Sequence, residues 1–313
     1  MSFQSQAQLN QHCETIMQSR RIKNKIVVLC EGNIHAIQGS ASPQSYRRLE
    51  NMPDANFYKA CIPKWWKQKR PEFCGDRQDV VDTFLTLLEQ HSQPRQDSYL
   101  NPDKLFAIVD LDIQSQEISQ SYPFPDTEAI FEHLYDKAKV NKTNANQHRI
   151  WVTGLIHKEA YFVEPALQSV FETFPISLTY NAVPLKLEDI YLAMSENLEK
   201  DMDLKTHFQT VCHRINYCTG LDCSQIESLK NSWKQQFKIT FNKTELIYAL
   251  LTITKAKDYW TQIAPKTGEW TAPIERFREQ LTLAVGQFYS EAGEDEKTEY
   301  HISVFLKTLY QFI

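Results

Sequence analysis

The order of apolar and polar residues divides the chain into a first half of alternating strand and helix patterns and a second half of helical patterns. Short, nearly continuous apolar runs bounded by polar residues predict strands that are buried on both faces. The predicted strands are 25–32, 56–62, 104–113 and 149–156. Apolar residues at helical spacing predict helices at 5–21, 76–91 and 126–139, with Asp76 and Asp126 as N-caps of the last two. Alternation of this kind predicts an α/β fold with a mostly parallel sheet flanked by helices.

From about residue 185 onward the apolar positions recur at helical spacing only. The predicted helices are 187–199, 205–218, 224–236, 243–260, 273–290 and 298–312. We therefore expect an all-α C-terminal domain after the α/β domain. The predicted division of the chain is an N-terminal helix at 1–24, an α/β domain at 25–165 and a helical domain at 166–313.

Composition narrows the class of protein. With 313 residues the chain is long enough for a sizeable core, and its formal net charge of −5 argues against a wholly basic nucleic-acid-coating protein. The first twenty residues contain no apolar stretch of the kind found in a secretory signal, and no run approaches the roughly 18 apolar residues of a membrane span. The seven cysteines are odd in number and lack scaffold spacing. These features predict a cytoplasmic protein with reduced thiols and no membrane association.

Acidic residues stand where two predicted strands end. Glu31 follows the run VVLC, and Asp110 and Asp112 follow FAIV. The carboxyl ends of parallel strands meet at one edge of a sheet, where open α/β folds bind ligands. Asp110 and Asp112 are two residues apart, so an extended backbone would direct both to the same side. Carboxylates gathered at one edge repel one another unless a cation is present, and hard oxygen ligands suit Mg²⁺ or Mn²⁺.

A further acid follows the strand predicted at 149–156. In the segment HKEAYFVEP an extended backbone would place His157 and Glu159 on one face, with Lys158 pointing away unless the chain turns there. Glu159 is therefore a candidate fourth metal ligand, and Lys158 is a candidate cation for the leaving oxygen of a phosphodiester. Glu164 is a weaker candidate because its position also fits the connection between the two predicted domains.

The two motifs VVLCEG (27–32) and FAIVDLD (106–112) resemble the TOPRIM domain, in which one hydrophobic strand ends in Glu-Gly and a later one ends in Asp-x-Asp. The resemblance covers roughly residues 24–164. By position, Glu31 would correspond to the general acid/base or metal-binding glutamate of that family, and Asp110 and Asp112 to its metal-binding aspartates. Glu159 is similar in place to the extra carboxylate of TOPRIM nucleases such as the OLD family and anti-phage TOPRIM effectors.

The resemblance implies a hydrolase: a nuclease that cleaves DNA or RNA with Mg²⁺ or Mn²⁺ and acts in antiviral defence. The partners it implies are nucleic acid, an ATPase sensor subunit of the ABC type and a second copy of the chain. Several OLD-like members carry another acid shortly after Glu-Gly, whereas this chain has Asn33 and His35 there. This difference leaves open a catalytically silent TOPRIM-like subunit that binds or senses within a larger nucleic-acid or ATPase complex.

A basic segment with two tryptophans, KACIPKWWKQKR at 59–70, is a candidate for nucleic-acid binding beside the acids. Cations neutralise phosphates, and an indole can stack on an unpaired base. The candidate contact residues are Lys64, Trp65, Trp66, Lys67, Lys69 and Arg70. The alternative is a solvated loop whose tryptophans pack into the core.

Other functions share single features with this chain. FAIVDLD is similar to a Walker B strand, but the GxxxxGK[ST] loop of P-loop ATPases does not occur. An Asp-x-Asp at a strand end is also found in nucleotide-sugar glycosyltransferases and in haloacid-dehalogenase-like phosphatases. Neither of these explains Glu-Gly on the earlier strand.

Overall fold

A four-stranded parallel sheet lies in the first half of the chain. The computed structural model describes residues 5–31, 53–76, 80–92, 98–118, 122–292 and 297–313. The sheet strands are β1 (Val27–Glu31), β2 (Glu72–Asp76), β3 (Leu105–Val109) and β6 (Ile150–Val152), in the spatial order β2-β1-β3-β6. The predicted α/β architecture with a parallel sheet is therefore confirmed. Gly32, Asn33 and His35 lie outside the described residues.

The register of the strands defines two edges of this sheet. Val27 pairs with both Glu72 and Leu105, so β1, β2 and β3 begin at the same level. We call this the amino edge. At the other end, which we call the carboxyl edge, Glu31 is the last residue of β1 and Val152 is the last residue of β6. The apolar residues of β1 and β3 are almost fully excluded from solvent, as expected of strands covered on both faces.

Helices cover the sheet and connect its strands. They are α1 (Gln6–Met17), α2 (Pro53–Ala60), α3 (Val80–Ser92), α4 (Thr127–Leu134) and α5 (Lys142–Ala145). Helix α1 packs against α3, where the thiol of Cys13 lies 3.9 Å from the carbonyl oxygen of Thr83. The predicted N-cap at Asp126 is confirmed, because its Oδ1 accepts a hydrogen bond of 2.8 Å from the amide of Ala129.

The second strand of the sheet is not the one that the sequence predicts. Residues 56–62 belong largely to helix α2, and the strand is Glu72–Asp76 instead. Phe57, Tyr58 and Cys61 are all buried at helical spacing, a pattern that a short apolar run shares with a buried strand. Asp76 accordingly lies within β2 and is not a helix N-cap.

The helix predicted at 126–139 ends at Leu134, and a short hairpin follows. Strands β4 (Tyr135–Asp136) and β5 (Lys139–Val140) pair antiparallel through the turn residues Lys137 and Ala138. These two residues have φ angles of 49° and 59°, the left-handed conformation required by tight hairpin turns.

The second half is mostly helical. Its helices are α6 (Gln168–Glu172), α7 (Leu187–Glu196), α8 (Met202–Thr206), α9 (Phe208–Arg214), α10 (Ile226–Ile239), α11 (Thr244–Ile253), α12 (Lys257–Trp260), α13 (Ile274–Ala292) and α14 (His301–Tyr310). It also contains an antiparallel sheet of β8 (Val183–Pro184), β7 (Leu178–Tyr180) and β9 (Ala264–Pro265), in that order. The expectation of an all-α C-terminal domain is thus corrected. The pairing of β7 with β9 joins residues more than eighty positions apart, which local patterns do not reveal.

The helical half and the sheet share one hydrophobic core. Gly286 of α13 packs so closely on α2 that a Cβ atom there would lie 2.5 Å from the Cβ of Ala60. Ser290 donates a hydrogen bond of 2.9 Å to the carbonyl of Ile62, and the rings of Phe305 and Trp151 lie 5.1 Å apart. The division of the chain at residue 166 stays a prediction. Among the described residues, no helix is long and apolar enough to cross a membrane.

Candidate functional site

Glu31 and Asp110 meet at the carboxyl edge because β1 and β3 are neighbours and end at the same level. The amide of Asp110 donates a hydrogen bond of 3.5 Å to Oε1 of Glu31. Burial raises the pKa of Glu31 to about 7, and the negative charge of Asp110 acts in the same direction. Burial also raises the pKa of Asp110. The sequence predicts this meeting correctly, and the structure adds that both carboxyl groups are largely shielded from water.

His157 is a basic partner of this pair. Its Nδ1 lies 3.4 Å from Oδ2 of Asp110. Burial opposes the charged form of His157, but the hydrogen bond to Asp110 and the charges of Asp110 and Asp112 outweigh burial and raise the pKa of the imidazole. Sequence reasoning places His157 on a face with Glu159 but assigns it no function. The signal available in the sequence is its position shortly after β6, at the edge where the acids gather.

The chain turns immediately after His157, and this turn brings Lys158 inward. Residues Lys158–Phe162 form a 3₁₀ helix, and the Lys158 residue is only 8% exposed. Its ammonium Nζ lies 4.0 Å from Oε1 of Glu159. Burial lowers the pKa of Lys158, opposed by the negative charges of Glu159, Cys30 and Glu31. Lys158 and Glu159 are therefore both near the paired carboxylates, as the candidate roles require.

Asp112 differs from Asp110 in exposure. β3 ends at Val109, and the backbone then bends so that the amide of Asp112 donates 3.1 Å to the carbonyl of Asp110. Asp110 is half-buried, whereas Asp112 is exposed and its Oδ1 accepts a bond of 2.7 Å from the amide of Ile113. The extended backbone that was expected to direct both aspartates to the same side is therefore replaced by a bend.

Thr153 is a second residue that sequence reasoning misses. Its hydroxyl accepts a hydrogen bond of 2.8 Å from the amide of Leu111 and donates one of 2.7 Å to the carbonyl of Leu155. Its own amide donates 2.9 Å to the carbonyl of Val109. One buried hydroxyl thus ties the loop that carries the aspartates to the loop that carries His157. This arrangement fixes the two loops relative to each other.

The carboxylate oxygens at the carboxyl edge are ligands of the kind that a hard divalent cation prefers. Glu31 and Asp110 supply carboxylate oxygens, and burial raises the pKa of both groups. Within the part of the chain that the structure describes, no three His, Cys, Asp or Glu side chains are grouped closely enough to hold a metal ion. Mg²⁺ commonly binds through one or two carboxylates together with water and substrate phosphates. The pair therefore fits such an ion, and a ligand set of Glu31, Asp110, Asp112 and Glu159 stays a prediction.

The predicted nucleic-acid segment lies at the opposite edge of the sheet. Helix α2 returns the chain from the carboxyl edge, and residues 61–71 then lead into Glu72, the first residue of β2. Glu72 pairs with Val27, four residues before Glu31, a separation of about 13 Å along the strand. The expectation that Lys64, Trp65, Trp66, Lys67, Lys69 and Arg70 border the acids is corrected by this topology.

The two tryptophans of this segment also differ from each other. Trp66 is 0% exposed, and its ring stacks on Trp65 with centroids 6.3 Å apart. Both rings meet the ring of Tyr310 edge to face. Trp66 therefore packs in the core and has no face available for a base. Trp65 is half-buried, and the flanking residues Lys64, Lys67, Lys69 and Arg70 are exposed.

Glu164 lies apart from the paired carboxylates. Its two carboxyl oxygens accept hydrogen bonds from the hydroxyls of Tyr248 at 2.9 Å and Tyr289 at 3.4 Å. Burial raises the pKa of Glu164 to about 7, against the effect of these two hydrogen bonds. The residue thus joins α11 and α13 to the chain that follows the 3₁₀ helix, a structural position.

The chain matches no protein-family model, no curated protein and no solved structure.

Proposed function

We propose that the chain is a divalent-metal-dependent nuclease that hydrolyses phosphodiester bonds at the carboxyl edge of its parallel sheet. The observation that carries the proposal is the pairing of Glu31 and Asp110, two shielded carboxyl groups on neighbouring strands with raised pKa values. Strongly perturbed ionisable groups at the carboxyl ends of parallel strands are typical of functional sites.

Each residue around this pair has a distinct part in the proposal. Glu31 and Asp110 would hold the metal ion, which supplies polarisation of a phosphate oxygen and a lowered pKa of bound water. The hydrogen bond to Asp110 orients the imidazole of His157 toward the carboxyl edge. Lys158 keeps a cation close to the carboxylates, where it offsets their charge and that of a substrate phosphate.

We propose Asp112 and Glu159 as the remaining ligands of the metal ion. Asp112 is exposed, and Glu159 lies beside Lys158 on the 3₁₀ helix. Both residues follow strands that end at the carboxyl edge, β3 and β6.

The TOPRIM-like motifs extend the proposal to a biological setting. The resemblance of VVLCEG and FAIVDLD to TOPRIM nucleases supports an anti-phage defence effector that acts on DNA or RNA in the cytoplasm. An ABC-type ATPase sensor or a second copy of the chain would then be its protein partner.

Metal binding and cleavage are measured on the same purified full-length proteins. Calorimetry with Mn²⁺ reports binding, and plasmid, linear duplex, single strands and total tRNA are tested with Mg²⁺, Mn²⁺ or EDTA. The variants Glu31→Gln and Asp110→Asn remove one charge each with little change in shape. Asp136→Asn, an exposed acid in the β4–β5 hairpin, is the matched control.

We expect metal-dependent cleavage by the wild type and by Asp136→Asn, with a loss of at least a hundredfold in Glu31→Gln and Asp110→Asn, by analogy with removal of other groups that act on transition-state charge, about 10²–10³. No Mn²⁺ binding and no cleavage by the wild type would contradict the proposal. That result would favour the alternative of a silent binding or sensor subunit.

A further inference from the structure

The amino edge of the sheet carries an excess of positive charge. Two segments that enter neighbouring strands meet there: residues 20–25 lead into β1 and residues 59–72 lead into β2. The first segment, RRIKNK, contains four basic residues and no acid, and the second, KACIPKWWKQKRPE, contains five basic residues and one acid. Because β1 and β2 are parallel neighbours, the fold places these nine basic residues at one edge, although they are separated in sequence.

The single acid of these segments is already occupied. The carboxylate of Glu72 is contacted by three cations: Lys25 at 2.6 Å, Arg21 at 3.5 Å and Lys59 at 3.9 Å. Its side chain is only 10% exposed, so it presents little negative charge to solvent. The one carboxylate of these segments therefore offsets only one of their nine positive charges.

Further contacts show which neighbouring segments border this surface. The ammonium of Lys23 lies 5.7 Å from the ring centre of Tyr99, in the segment that leads toward β3. Across the sheet, the guanidinium Nε of Arg149, which precedes β6, donates 3.2 Å to the carbonyl of Leu105. Pro102–Lys104, between Tyr99 and β3, contains one acid and one base and so adds no net charge to the amino edge.

Several of these cations point to solvent. Arg20 and Lys23 in the first segment and Lys67, Lys69 and Arg70 in the second are all exposed. Lys64 is ion-paired with Glu291 at 2.9 Å and contributes less. The half-buried indole of Trp65 lies among the exposed lysines.

We propose that this amino-edge basic surface, formed by residues 20–25 and 59–70, binds the phosphate backbone of a nucleic acid. A chain of formal net charge −5 that concentrates nine basic residues at one edge has the charge separation typical of a local polyanion site. Residues 20–25 and 59–70 present cations around the half-buried indole of Trp65, and they form no broad apolar face suited to the interior of a lipid bilayer.

This site is separate from the carboxylates at the carboxyl edge. Glu31 is at one end of β1, and the segments that form the basic surface are at its other end. Binding there needs no metal and no cleavage, so it does not depend on the proposed nuclease activity. A nucleic acid bound at the amino edge would therefore lie at the opposite end of the strands from Glu31 and Asp110.

The test measures binding of a fluorescein-labelled 30-nucleotide single strand and the matching duplex by anisotropy in EDTA. The variant Arg20→Glu/Lys23→Glu/Lys67→Glu reverses three exposed charges, two in residues 20–25 and one in residues 59–70. The matched control Lys205→Glu/Lys238→Glu/Lys266→Glu makes the same net charge change at exposed lysines of the helical half. Circular dichroism and thermal melting establish that both triple variants fold.

We expect the dissociation constant of the first variant to rise at least tenfold and that of the control to change less than threefold. The slope of log affinity against log salt should fall in magnitude by about 2 to 3 for duplex, since each phosphate contact contributes about 0.9. Glu31→Gln and Asp110→Asn should bind as the wild type does, whether or not they cleave.

Three results would overturn the inference: no binding by the wild type at 50 mM salt, equal weakening in the two triple variants, or binding confined to anionic phosphatidylserine vesicles. Loss of cleavage in the carboxylate variants with binding intact would uphold both proposals. Binding without any metal uptake by the wild type would uphold this surface and contradict the nuclease.

Discussion

Arg214 donates a hydrogen bond of 2.7 Å from its guanidinium Nη2 to the carbonyl oxygen of Asp112. The same guanidinium binds both carboxylate oxygens of Glu128, with Nε at 3.0 and 3.1 Å. The side chain of Arg214 is 0% exposed, and that of Glu128 is 16% exposed. Helix α9 of the helical half thereby holds the loop that carries the Asp-x-Asp motif. The helical half is thus part of the structural support of the carboxyl edge.

Arg214→Ala should destabilise the protein by about 3–5 kcal/mol, because it leaves Glu128 without its cation and Asp112 without its donor. Urea unfolding followed by circular dichroism measures the change. Lys230→Ala, which breaks the more exposed pair with Glu199, is the control and should destabilise the protein far less. Equal effects of the two substitutions would show that Arg214 has no special role.

Arg214→Lys tests positioning apart from stability. Lysine keeps the charge but cannot make the bidentate contact to Glu128 and the bond to Asp112 together. We expect Arg214→Lys to fold and to bind Mn²⁺ several-fold more weakly than the wild type. An unchanged affinity for Mn²⁺ would contradict a positioning role for Arg214.

The raised pKa of Glu164 predicts a fall in stability as pH rises. Its carboxyl group has a folded-state pKa of about 7, above its ordinary value of 4.5, because of burial. Between these two values the unfolded chain has released a proton that the folded chain still holds, so the free energy of unfolding decreases toward pH 7 and then levels off. The full penalty is about 3 kcal/mol.

Glu164→Gln should therefore be as stable as the wild type near pH 4 and more stable at pH 8, by up to about 3 kcal/mol. Chemical unfolding across pH 4 to 8 measures this difference. The exposed Glu227→Gln is the control and should follow the wild-type curve. A wild-type advantage at pH 8 would show that the two tyrosine hydrogen bonds outweigh burial.

Divalent cations should stabilise the folded protein through Glu31 and Asp110. A ligand at a hundred times its dissociation constant stabilises the native state by about 2.7 kcal/mol. We expect Mn²⁺ to raise the melting temperature of the wild type at pH 8 and to have little effect on Glu31→Gln or Asp110→Asn. The same shift in all three proteins would place the cation elsewhere.

Gly154 lies just past β6 in a space that admits no side chain. A Cβ atom there would lie 2.3 Å from the ring of His301 and 2.6 Å from the ring of Tyr135. Gly154→Ala should destabilise the protein by about 1–3 kcal/mol or more, measured by thermal unfolding. Gly268→Ala meets no atom within 4 Å but has a φ of 86°, so it should cost about 1 kcal/mol from backbone strain alone.

The acids at the strand ends show what a short sequence pattern can predict about this protein. VVLC and FAIV are continuous apolar runs, and such runs form buried parallel strands. The acids that follow them therefore meet at one edge, and the sequence predicts the pairing of Glu31 with Asp110. The segment at 56–62 shows the limit, because a run of that length fits a buried helix equally well.

Short-range periodicity and the rule of parallel strands were enough to predict the α/β class and the gathering of acids at the carboxyl edge. Which cations accompany those acids depends on the tertiary fold. Helix α2 carries the basic segment to the amino edge, while a 3₁₀ turn brings Lys158 inward and Arg214 reaches Asp112 from 102 residues away. These contacts depend on chain reversals and long-range packing, which no local pattern of residues encodes.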